Sequence, residues 1–263
     1  MDRTRTPDDC HAAPRPVAAL AEDYPAAGVI PDHRHDRAQL IHAVRGVMTV
    51  AAPDARWVVP AGRAVWMPAG TPHSISLGGD VAMRTVYIDP DARAGLPARC
   101  LAIDVPPLLR EAIVAATAIA LDYEEGGRDE RVMELILDEL MAAPRLALDV
   151  PMPRDPRLLT LCERLIADPA GRATLTDLAR DLPMSARTLA RLFHRELGMS
   201  FGEWRRRMRL LLCLPRLAAG APVLEVALDH GYDSPSAFAA MFRRTLGSPP
   251  TAYYNEAFRF PKR

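Results

Sequence analysis

Cysteine is scarce in this 263-residue chain, with four residues at positions 10, 100, 162 and 213 and no CxxC spacing. That pattern fits reduced, mostly buried thiols better than a disulfide frame or a cysteine zinc cluster. No run of 18 consecutive apolar residues occurs, so a membrane span is excluded. The first 16 residues, MDRTRTPDDCHAAPRP, lack the apolar core of an export signal. They read as a flexible arm, with the cytoplasm as the expected compartment. Lysine is nearly missing too: Lys262 is the only one among 33 basic residues. Any basic surface is therefore built from arginine, whose planar donors suit phosphate and guanine edges. GC-rich coding would produce the same bias.

What is present is a globular profile, 49% apolar and 25% charged, at a length that favours about two domains. The formal net charge of zero conceals an asymmetry. Residues 155–263 hold 17 basic and 11 acidic side chains, a surplus of six that an equal acidic surplus upstream balances. The downstream half is thus the one suited to a polyanion.

Between about 17 and 90, short apolar runs alternate with Gly and Pro: QLIHAV, GVMTVAA, RWVVPAG, AVWMPAG, HSISLGG and AMRTVYI. These predict about six β-strands joined by tight turns, as in a small sandwich or barrel. Helical periodicity follows over Pro106–Glu124 and Asp129–Ala143, an antiparallel pair across Gly126-Gly127. Three prolines in 149–156 mark a linker. The expected division is an arm (1–16), a β-rich domain with its helical pair (17–148), the linker, a helical domain (157–254) and a tail (255–263).

The helical region contains a repeat. An offset of 49 superimposes Ser185 on Ser234, Leu189 on Phe238, Leu192 on Met241, Phe193 on Phe242, Leu197 on Leu246 and Gly198 on Gly247. Each copy reads as a helix, a short turn, an N-capping Ser and a second helix ended by Gly, which is the pattern of a helix-turn-helix. In the first copy the second helix, Ala186 to Leu197, buries Leu189, Leu192, Phe193 and Leu197 and leaves Arg187, Ala190, Arg191 and His194 opposite. Such a helix reads bases in a major groove; the plainer alternative is a solvated charged face. Between the copies, Ser200 to Ala219 would span about 30 Å as one helix, close to the ~34 Å repeat of B-DNA. Its arginines 205, 206, 207 and 209 are candidates for phosphate contact.

The stretch LTDLARDLPMSARTLARLFHRELGMSF and the motif A-x-x-x-G-Y-x-S-x-S-x-F-x-x-x-F-R-R-x-x-G-x-x-P, within about 157–254, resemble the DNA-binding domain of AraC/XylS-type bacterial transcription regulators. The candidate DNA-contacting set is Ser185, Arg187, Arg191, His194 and Arg195 in the first copy, Ser234, Ser236 and Arg243 in the second, and Arg205 and Arg206 between them. Pro215 departs from the family pattern and is expected to kink or break the connecting helix. Ser236, Ala239 and Ala240 offer few base contacts, so readout is expected to rest on the first copy.

Upstream, Gly28-x4-His33-x-His35-x3-Gln39-x6-Gly46 and Gly62-x5-Pro68-x-Gly70-x2-His73 resemble the two cupin motifs, with Gln39 where the family usually carries Glu. The resemblance implies a double-stranded β-barrel. His33, His35 and Gln39 share odd parity and would face one side of a regular strand, with His73 brought alongside by a turn. Three imidazoles and an amide suit a divalent Zn, Ni, Fe or Mn ion. His42, of opposite parity, is left out. A metal-free polar effector pocket and purely structural histidines remain the alternatives.

The fold class expected is therefore α+β in two domains: an N-terminal cupin-like β-barrel with a helical pair, and a C-terminal all-α domain with two helix-turn-helix motifs. The function expected is a sequence-specific regulator that binds double-stranded DNA, responds to a small effector or metal, and dimerises through the helical pair. A metal-dependent cupin enzyme with an appended helical domain is the alternative, weakened by the repeat and by the lack of an evident catalytic acid or base.

Overall fold

The computed structural model describes residues 5–218, 220–246 and 249–251; the expected tail, 255–263, lies outside them. The chain divides into two compact units, Met1–Ala52 with Val59–Leu148, and Pro53–Val58 with Asp149–Arg263.

The first unit opens with a short helix, α1 (Pro7–His11), and continues through β1 (Val17–Tyr24), β2 (Gly28–His33), β3 (Ala38–Arg45) and β4 (Val47–Ala52). After β5 (Ala55–Pro60) come β6 (Arg63–Met67), β7 (His73–Leu77), β8 (Val81–Ile88) and β9 (Leu101–Asp104). Helices α2 (Pro107–Ala116) and α3 (Arg128–Ala142) and the short β10 (Arg145–Leu146) complete it. One antiparallel sheet runs β1-β8-β3-β6-β9-β10, and within this unit the second sheet runs β4-β7-β2.

Strand β3 is buried on both faces from Ala38 to Ala43 because the sheet lies beneath the helical pair. Its Ala38 and Leu40 join Trp66, Val86 and Ile88 in a core with Leu109, Ile113, Met133, Ile136, Leu137 and Leu140 from α2 and α3. Burying so many large aliphatic groups contributes roughly 1.5–3 kcal/mol each. Side chains alternate, so Gln39 and Ile41 point the other way, toward the second sheet. The β3–β4 turn requires glycine: Gly46 has φ +81°, and a Cβ there would lie 2.2 Å from the Asp80 carbonyl.

Three features of the first unit differ from the sequence expectation. The arm is ordered from Arg5: Thr6 and Asp9 form a capping box on α1 and Cys10 is fully buried. Arg5 ties the arm down, donating from Nη1 to the Ala19 carbonyl and from Nη2 to the Ile119 carbonyl, each at 2.6 Å. The helix expected to reach Glu124 stops at Ala116, where the Thr117 hydroxyl takes the Val114 carbonyl and the next amides bond three residues back rather than four. Strands β1, β2 and β9 lie in stretches without a clear alternating pattern.

The second unit contains β11 (Asp149–Pro151), α4 (Pro156–Ala167), α5 (Leu175–Arg180), α6 (Ala186–Leu197), α7 (Phe201–Ala218), α8 (Val223–Asp229) and α9 (Pro235–Leu246). The segment read as a linker is structured. Residues 149–151 pair antiparallel with 55–57, Asp155 caps α4, and the buried Trp204 donates from Nε1 to the Pro151 carbonyl at 2.8 Å. Helix α7 continues through Pro215 to Ala218, so the expected break does not occur. The bond lost is the one residue 215 would donate to the Leu211 carbonyl, a single bond near the C-terminal end of the helix.

Candidate functional site

The two helix-turn-helix pairs are α5–α6 and α8–α9. Helix α6 begins at Ser185, whose Oγ accepts from the Thr188 amide at 3.2 Å, and ends at Gly198. Leu189, Leu192, Phe193 and Leu197 are buried beneath it. Arg187, Arg191, His194 and Arg195 stand exposed on its other side. Among the described residues Arg187 and Arg191 make no ion pair, whereas Arg195 meets its neighbour Glu196 at 3.3 Å. In α9 the Ser234 Oγ accepts from the Ala237 amide at 3.1 Å, while Ser236 and Arg243 are exposed. Both serines serve as helix caps.

The arginine run on α7 divides differently from the expectation. Arg206 is exposed. Arg205 turns inward over the Phe201 ring and donates from Nη1 to the Ala173 carbonyl at 2.8 Å. Arg207 pairs with Asp149, and Arg209 is likewise engaged with backbone carbonyls. A guanidinium committed to internal partners is not available for phosphate, so of this run only Arg206 presents a free cationic face.

In the first unit the motif histidines converge, though not through parity on one strand. His33 ends β2, His35 lies in the following loop and Gln39 stands on β3 in the other sheet. The loop is held where the Gly70 amide donates to the His35 carbonyl at 2.7 Å. His73, first residue of β7, is the register partner of His33. One ligand nitrogen from each of His33, His35 and His73 lies within 4.8 Å of the others. His33 and His73 place Nδ1 at 2.8 Å and 2.9 Å from the Pro31 and Thr71 carbonyls. A carbonyl partner fixes the proton on Nδ1 and leaves Nε2 as a lone-pair donor.

His73 is 1% exposed and Gln39 4%, yet His73 Nε2 and Gln39 Oε1 have no hydrogen-bond partner. Buried acceptors without partners cost free energy unless something occupies the space beside them. Gln39 is the register partner of Tyr87 on β8. Burial, reinforced by the imidazoles of His11, His33 and His73, pushes His35 down to about 3. Burial also lowers His73. His35 and His73 are therefore neutral near pH 7, the form that ligates.

One member of the site has no place in the sequence motifs. His11, the last residue of α1, stacks on His35 and meets Tyr87 edge-on, and its buried Nε2 lacks a partner. The signal was the box T-x-x-D at Thr6–Asp9, which starts a helix where an unstructured arm is otherwise expected. His42 is fully buried on the outer side of β3, its Nδ1 2.9 Å from the Arg63 carbonyl.

Comparison with known proteins bears on both units. An AraC-like ligand binding domain matches residues 16–201, and a helix-turn-helix domain matches 178–256. The HTH-type transcriptional regulator NimR of Escherichia coli is 34% identical over 223 residues, 85% of this chain and 81% of that one. The HTH-type transcriptional regulator RipA of Corynebacterium diphtheriae is 26% identical over 209 residues, covering 80% of this chain and 58% of its own. The crystal structure of ToxT from Vibrio cholerae aligns over 94% of this chain and 98% of that one, at 11% identity and a TM-score of 0.40. Both NimR and RipA are regulators, which sets the enzyme alternative aside. Among the described residues no helix is long and apolar enough to cross a membrane. A ligand-binding domain and a helix-turn-helix domain are thus both matched by family model, a regulator matches along most of the chain, and the chain belongs to the AraC family of DNA-binding transcriptional regulators.

Proposed function

We propose that this regulator reads DNA chiefly through Arg187 and Arg191 of α6 and responds to a divalent metal ion held by His33, His35 and His73, with Gln39 as a neighbouring neutral donor. The observation that carries the metal reading is the buried Nε2 of His73, unpartnered beside two further imidazoles and the unpartnered Gln39 oxygen. Four tetrahedral ligand atoms at zinc-like bond lengths lie about 3.3 Å apart. A cluster already within 4.8 Å closes to that by side-chain rotation. Neutral nitrogen and amide donors select a borderline ion such as Zn, Ni, Fe or Mn over Mg or Ca. An ion there would tie the β2–β3 loop, through His35, to the paired strands β2 and β7. Dimerisation through α2 and α3 is part of the same proposal, supported by the exposed Leu108, Val114 and Met141 on those helices.

A second reading rests on the same orphaned atoms. His73 Nε2 and Gln39 Oε1 would equally accept hydrogen bonds from a polar organic effector. Metal content per chain, measured after purification without a polyhistidine tag and after incubation with each ion, separates the two. Near-stoichiometric metal that His33→Ala and His73→Ala each abolish supports the first. Absence of metal under all conditions sinks it and leaves the organic effector.

A further inference from the structure

Arg209 lies midway along α7, between the two helix-turn-helix pairs, and its guanidinium is half-buried without a carboxylate partner at hydrogen-bond distance. It donates from Nε to the Pro169 carbonyl at 2.7 Å, from Nη2 to the Gly171 carbonyl at 2.9 Å and from Nη1 to the Gly231 carbonyl at 3.1 Å. Pro169 and Gly171 belong to the loop that leads from α4 into the first pair. Gly231 is in the turn between α8 and α9 of the second. All three nitrogens of one planar group are spent joining the two pairs.

The junction is built on both sides. Gly231 has φ +75°, and a Cβ there would sit 2.7 Å from Arg209 Nη2 and 3.1 Å from the Ala170 carbonyl. Glycine is therefore required by its backbone and by the space the guanidinium takes. One turn earlier on α7, Arg205 holds the same loop through the Ala173 carbonyl at 2.8 Å. On the surface Arg172 of that loop meets Asp233 of the turn at 2.9 Å, though an exposed pair contributes little. Burial lowers the pKa of Arg209, as expected for a cation held only by carbonyl dipoles.

We propose that Arg209 is a positioning residue for DNA recognition: by tying the loop before α5 to the α8–α9 turn, it fixes the offset between α6 and α9 and so the distance between the two tracts of duplex that they contact. It touches no DNA itself. Two rigidly linked contacts act as one binding event with high effective concentration, and a loosened junction forfeits that gain. The inference rests on family membership and on both helices meeting DNA.

The test uses the full chain and a duplex selected by it from a random pool, probed by hydroxyl-radical footprinting. The unsubstituted chain is expected to protect two tracts about one helical turn apart. Arg187→Ala marks the tract beneath α6. Arg209→Met is expected to bind about tenfold more weakly, keeping the α6 tract while the other fades or spreads. Gly231→Ala, which displaces the guanidinium while leaving the arginine in place, is expected to do the same. A general loss of fold would weaken both tracts together and overturn the proposal, as would collapse of both variants. Unchanged tracts in a folded variant also overturn it. A single tract with the unsubstituted chain overturns it on separate ground, because α9 then makes no contact for Arg209 to position.

Discussion

The imidazole of His11 lies against that of His35 with ring centroids 4.3 Å apart and planes 23° from parallel. His35 in turn meets His33 edge-on at 4.7 Å, so a residue from the first helix of the chain backs one member of the motif cluster. Stacked rings cannot both aim in-plane lone pairs at one ion, which makes His11 a support for His35 rather than a fourth ligand.

His11→Ala should therefore weaken metal binding without abolishing it, by about 10–100-fold as for other groups that orient a ligand. Competition titration with a chromogenic zinc chelator on the full chain measures this. Equal losses for His11→Ala and His33→Ala would contradict the division of roles.

His42 supplies a pH-dependence independent of that cluster. Burial pushes it down to about 4 from an ordinary 6.5, against an opposing hydrogen bond to the Arg63 carbonyl. Its folded pKa is depressed, so the unfolded chain binds the extra proton first. Stability is complete above 6.5 and is lost as pH falls toward 4. At pH 5 the loss amounts to about 2 kcal/mol. Melting curves at pH 7.5 and 5 should show a smaller pH effect in His42→Gln than in the parent; parallel behaviour would remove His42 as the cause.

Arg187→Ala or Arg191→Ala should cost about 1–3 kcal/mol on the selected site and relax preference at one base position, as loss of a bidentate guanine contact does. Arg206→Ala should weaken binding to all sequences alike and reduce the salt slope by about one. Electrophoretic titrations at several salt concentrations distinguish them. Should Ala240 substitutions shift base preference more than Arg187→Ala, the ranking of α6 over α9 would reverse.

Trp204→Phe removes the indole N–H that the Pro151 carbonyl accepts and leaves a void at a fully buried position. The lost hydrogen bond and the void together cost about 1–3 kcal/mol. In scanning calorimetry of the full chain, the transition that shifts on adding DNA should fall by about 4–10 °C, and the other should stay in place. A change in both transitions would mean that Trp204 acts beyond its own unit.

How much was legible in the sequence depends on how local its causes are. The bounds of α6 coincide with the expected Ala186–Leu197 because Ser185, Gly198 and a four-residue apolar face all act within one helix. Strands β3 to β8 fall on the apolar runs between turn residues. Strand β1 escaped because its VAALA run is alanine-rich and is made a strand by pairing with β8 along its whole length. The spacing of His33, His35 and His73 located the cluster, but parity misdescribed its route, since the chain changes sheets between His33 and Gln39. The inward turn of Arg205 and Arg209 depends on a loop some 35 residues away, which no pattern around 205–209 contains.

The pairing of β5 with β11 joins Ala55 to Pro151, 96 residues further along the chain. A ribosome moving at about 5–20 residues per second takes roughly 5–20 s to cover that distance. For that interval one strand of the DNA-binding unit is already made, with its edge bare, while the rest of the unit does not exist. The DNA-reading half therefore completes its β5–β11 pair only after β11 is synthesised, over a long loop, which is the slow kind of contact in folding.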